Sequence, residues 1–60
     1  MTKHFPNAQG TPADLELIES LYAEAKALDA RGLFDKAKGY YNACMSLILS
    51  KRVILKKEVA

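Results

Sequence analysis

The chain is 60 residues long, half of them apolar and 27% charged, with a net charge of +2 and a single cysteine. That length holds one domain, and its own core is marginal, since a chain this short buries only about 60% of its unfolded surface. One Cys and one His exclude an internal disulfide and a four-ligand structural zinc site within one chain, and the apolar fraction at low net charge excludes disorder.

Residues 1–10 read as a flexible tail, with Pro6, Asn7 and Gly10 and no hydrophobic period. The segment is polar and lacks the apolar core of a signal peptide. Nowhere does the chain carry the run of about 18 apolar residues that a membrane span needs. The expectation is therefore a cytoplasmic protein with no membrane span, and a lone thiol suits that compartment. Phe5 is the only large apolar residue of the tail and is expected to tuck against a helix end. His4 reads as a tail residue without a partner.

Thr11-Pro12-Ala13-Asp14 is a helix start. The Thr11 hydroxyl serves as N-cap, Pro12 takes the first helical position where its missing N–H costs nothing, and Asp14 suits the positive helix end. The first helix is expected over about 12–31. Leu15, Leu17, Ile18, Leu21, Tyr22, Ala25 and Leu28 share a side covering about 160° of the wheel. Gly32 fits the left-handed position that closes a helix, followed by apolar Leu33.

The second helix is expected over about 34–58, because nothing after Phe34 breaks the pattern. Phe34, Ala37, Tyr41, Cys44, Ile48, Leu55 and Val59 form one stripe. Tyr40, Leu47 and Ile54 lie beside it, and Met45 and Leu49 widen it. Gly39 costs about 1 kcal/mol in helix propensity, which close approach of another backbone ordinarily explains. The short link at Arg31-Gly32-Leu33 makes the two helices antiparallel neighbours. The fold class is thus all-α, a two-helix hairpin over 11–60. A helix packed on one partner needs an apolar stripe of about 100°. Both helices exceed that, so the hairpin is expected to be completed as a dimeric four-helix bundle or to dock on a larger protein.

Charge is unevenly placed. Residues 12–31 carry five acidic and two basic side chains, whereas residues 33–60 carry six basic and two acidic ones. Opposite rims of this kind select an antiparallel pairing more than they stabilise it, because an exposed pair contributes only about 0–1 kcal/mol.

From Ala25 onward, the residues Ala25, Gly32, Phe34, Ala37, Tyr40, Tyr41 and Cys44 resemble a single tetratricopeptide-type helical hairpin. The run Ala25, Asp29, Gly32, Ala37, Tyr40, Tyr41 is similar to part of the microtubule-interacting-and-trafficking domains. The resemblance implies a hairpin with small residues at the crossing and a peptide- or helix-binding role. Two departures stand out. The tetratricopeptide pattern ends in proline where this chain has Leu49, and the trafficking domain has a third helix.

No catalytic motif and no cofactor or metal pattern is present in the sequence. Asp14, Glu16, Glu19 and Glu24 read as a solvated helix face rather than acid–base groups, which need shielding. Cys44 lies mid-helix on the apolar stripe, without the base or helix N-terminus that activates a thiol. The expected function is a small non-enzymatic protein–protein interaction module, a dimeric regulator, inhibitor or adaptor that occludes a surface of a larger protein. Its interface is expected at Tyr40, Met45, Leu47, Leu49, Val53 and Ile54. The alternative is a dimeric hairpin that binds the phosphates of RNA or DNA through Lys51, Arg52, Lys56 and Lys57.

Overall fold

The computed structural model describes residues 4–55, in the order β1 (Ala8–Gly10), α1 (Pro12–Ala30), α2 (Phe34–Leu49) and β2 (Val53–Leu55). The helices pair as a hairpin, and the two short strands pair antiparallel across it, with Ala8 opposite Leu55 and Gly10 opposite Val53.

α1 begins as its residues dictate. The Thr11 hydroxyl accepts the Asp14 backbone N–H at 3.2 Å, and Pro12 opens the helix. It ends in a Schellman turn. Gly32 sits at φ +80°, the Leu33 N–H donates to the Leu28 carbonyl at 2.9 Å, and the Gly32 N–H donates to the Asp29 carbonyl at 3.0 Å. Glycine enters that conformation without the Cβ penalty, so this turn is encoded locally.

The end of α2 is not encoded in that way. The helix stops at Leu49, well short of the expected residue 58, through a second Schellman turn. The Arg52 N–H donates to the Leu47 carbonyl and the Lys51 N–H to the Ile48 carbonyl, both at 3.1 Å. Lys51 is held at φ +62°, the left-handed region that costs a non-glycine residue about 1–2 kcal/mol. Tertiary packing offsets that cost. The turn swings the chain back so that Val53 is fully enclosed (0% exposed) and Arg52 reaches Asp14 at 2.6 Å. The rest of the expected helix, residues 56–58 with Lys56 and Lys57, lies outside the described residues.

The expected tail also differs. Phe5-Pro6-Asn7-Ala8 forms a turn in which the Ala8 N–H donates to the Phe5 carbonyl at 3.1 Å, with Pro6 at the second position that its fixed φ favours. Phe5 then packs edge-to-face on Tyr22, at 5.0 Å between ring centroids. Residues 8–10 follow as β1. A Cβ at Gly10 would lie 2.7 Å from the Arg52 carbonyl oxygen, so only glycine lets the chain pass β2 at that point. Gly39, by contrast, faces open space. No close backbone approach accounts for it.

The core runs through the molecule in two parts. Towards the hairpin turn Ala25, Leu28 and Ala37 are buried, and the two alanines are small enough to let the helices meet closely. At the other end Ile18, Cys44, Leu47 and Val53 form a buried cluster, flanked by Phe5, Ala8, Leu15, Leu21, Tyr22 and Ile48. The excess apolar width of the helices is thus met in part by the chain itself, as β1 and β2 lie over the open end of the hairpin.

Candidate functional site

The six expected interface residues divide into two groups. Leu47 and Val53 are buried against each other in the core cluster, so they are structural. Val53 comes inside because the turn at Lys51 reverses the chain, and Leu47 lies in the last turn of α2 and is buried with Ile18 of α1. The remaining four are exposed. Tyr40 is 38% exposed and projects from a different side of α2 than Met45 and Leu49. Ile54 lies on the outer face of β2, since neighbours in a strand alternate sides.

Met45 and Leu49 are one helical turn apart, 52% and 75% exposed, and Phe34 joins them at 66%. At about 100° per residue the three fall within about 60° of the α2 wheel. Half-buried Tyr41 and Ile48 form the inner margin of the same surface, and Tyr41 is anchored there by an edge contact to Tyr22 at 5.8 Å. The periodicity puts Phe34 on the same stripe as buried Ala37 and Cys44. It is 66% exposed, on the side of α2 turned away from buried Ala37, Cys44 and Leu47.

The basic group is partly committed. The Arg52 guanidinium donates to the Asp14 carboxylate at 2.6 Å. That hydrogen bond, followed by the one from the Thr11 hydroxyl, holds the Asp14 carboxyl below its ordinary range. Lys51 stands exposed at the turn. The acidic residues do not form a metal site: no group of three or more His, Cys, Asp or Glu among the described residues is placed to hold an ion. Cys44 is buried and its thiol pKa is raised by burial, while its Sγ–H points to the Ile18 carbonyl at 3.8 Å. Both observations describe a packing residue.

His4 is not free. Its backbone N–H donates to both Glu19 carboxylate oxygens, at 2.9 and 3.1 Å, and its ring Nδ1 also pairs with Glu19. The ring leans on Tyr22 at 5.1 Å. With Asp14–Arg52 this makes two polar ties holding the strand ribbon to the outer side of α1. Neither was legible from spacing, because each joins residues far apart in the chain.

No helix among the described residues is long and apolar enough to cross a membrane. No protein-family model, curated protein or solved structure matches this chain.

Proposed function

We propose that the protein is a small non-enzymatic protein–protein interaction module of the cytoplasm, a dimeric regulator, inhibitor or adaptor that covers a surface of a larger protein. The observation that carries this reading is the outer face of α2. Met45 and Leu49 are large, one turn apart and more than half exposed, and Phe34 lies on the same side of α2 about 16 Å further along its axis, in a chain of only 60 residues. Single apolar residues on a surface are ordinary, but an exposed adjacent pair bordered by half-buried Tyr41 and Ile48 on one helix face suits an interaction surface. The resemblance of residues 25–44 to helical-hairpin binding modules supports the same reading. So does the end of α2 at Leu49, where the tetratricopeptide pattern carries its terminating proline.

Binding of RNA or DNA is the weaker reading. Of its four cations, Arg52 is tied to Asp14.

The test is a double variant, Met45→Asp with Leu49→Asp. Both side chains project into solvent, so the fold and its circular dichroism are expected to persist. Tagged wild-type and variant proteins are used to capture partners from the native host, with mass-spectrometric identification. A larger protein retained by the wild type and lost by the variant is the expected result. Equal retention by both overturns the reading.

A further inference from the structure

The connection between α2 and β2 has the properties of an exchange hinge. Lys51 is strained at φ +62°, about a tenfold penalty for a non-glycine residue. Nothing in Ser50-Lys51-Arg52 opposes continuation of the helix, and straightening these residues removes the strain. Beyond the hinge, β2 makes its contacts with groups that any second copy of the chain also carries. Val53 packs with Ile18, Cys44 and Leu47, β2 pairs with β1, and Arg52 in the hinge holds Asp14. Short strained hinges invite exchange of the element they carry between identical chains.

We infer that the chain forms a strand-exchanged dimer, in which residues 50–52 straighten and β2 of each copy docks on the helices and β1 of the other. Outside the hinge turn itself, whose two backbone hydrogen bonds are exchanged for helical ones, the dimer reproduces the packing of β2 on the helices and β1, and it relieves the strain twice. It also accounts for Leu49, the most exposed large apolar residue described at 75%. Leu49 adjoins the hinge, and exchange brings the two hinge regions side by side, where it is covered. This goes beyond the proposed function, because it needs no larger protein and uses the strand ribbon and, from the outer face of α2, Leu49 alone.

The experiment uses two complementary variants, Asp14→Arg and Arg52→Asp. Each alone places like charges at the 14–52 contact, in the closed chain and in its own exchanged dimer. Mixed and refolded together, each groove meets an opposite charge only if β2 crosses between chains. Native mass spectrometry is expected to show the mixed dimer enriched about tenfold over statistical proportions, with helicity recovered if the single variants fold poorly. Dimers in statistical proportions, or a mixture as monomeric or unfolded as its components, overturn the proposal. In the otherwise wild-type chain, Lys51→Gly removes the strain from the closed form. The dimer dissociation constant is then expected to rise about a hundredfold, about ten for each hinge. An unchanged constant also overturns it.

Discussion

Val53 and Ile54 are adjacent, similar in size and opposite in environment, so truncating each in turn tests the architecture directly. Val53 is fully enclosed among Ile18, Cys44 and Leu47, whereas Ile54 is half exposed. Val53→Ala removes two methyl groups, about 1.6 kcal/mol of transfer free energy at about 0.8 kcal/mol per group. If a cavity of about 40 Å³ persists, about 24 cal/mol per Å³ adds about 1 kcal/mol. The expected loss of about 2.5 kcal/mol is a large share of the roughly 3–9 kcal/mol that a chain of this size holds. Ile54→Ala is expected to cost under about 0.5 kcal/mol. Urea unfolding followed by circular dichroism measures both. With a slope of about 1 kcal/mol/M, Val53→Ala lowers the midpoint by about 2.5 M at unchanged slope, and Ile54→Ala leaves it nearly in place. A continuous second helix would place Ile54 on its apolar stripe and Val53 at the margin. Equal costs, or a larger cost at Ile54, would therefore refute the ribbon.

The two hairpin glycines are expected to respond in opposite directions to alanine in the same assay. Gly39→Ala stabilises by about 1 kcal/mol, since its Cβ enters open space within a helix, whereas Gly32→Ala destabilises by about 1–2 kcal/mol because φ there is +80°. Asp14 titrates below its ordinary value because of Arg52. The stability from that contact is therefore present above the unfolded pKa of 3.8 and disappears as pH falls through the lower folded value. Acid titrations of stability should show the Asp14→Asn variant losing that part of the pH dependence while the wild type keeps it. Cys44 is expected to react with a thiol reagent only as the chain opens, at a rate that rises with denaturant and in Val53→Ala. Rapid labelling of the native wild type would contradict its burial.

The parts of this fold written in short-range chemistry were legible. Thr11-Pro12 and Gly32 locate both ends of α1, and the brevity of Arg31-Gly32-Leu33 makes the helices antiparallel. The ribbon was not legible, for two reasons. Ala8-Gln9-Gly10 contains no residue that favours a strand, and Lys51 terminates α2 in a conformation that sequence rules reserve for glycine. Both are imposed by contacts distant in the chain, where tertiary packing overrides propensity. The wheel arithmetic detected surplus apolar surface, and Leu47 and Val53 belong to it. What it lacked was the knowledge that β1 and β2 return to cover those two residues. Phe34 was missed as a surface residue because the stripe was drawn too wide: the buried Ala37, Cys44 and Leu47 lie about 60–140° from it on the wheel.

The pairing of Ala8 with Leu55 joins residues near opposite ends of the chain, and this dictates an order of assembly. The helical hairpin closes through a three-residue link, so its contacts near the turn form early at little entropic cost. The ribbon forms only when the whole intervening chain is already folded back on itself. Changes in the ribbon should therefore appear almost wholly as faster unfolding, with the refolding rate nearly untouched, and changes at Ala25 or Ala37 should slow refolding itself. The last and most easily undone contacts in the molecule thereby govern its lifetime in the native state.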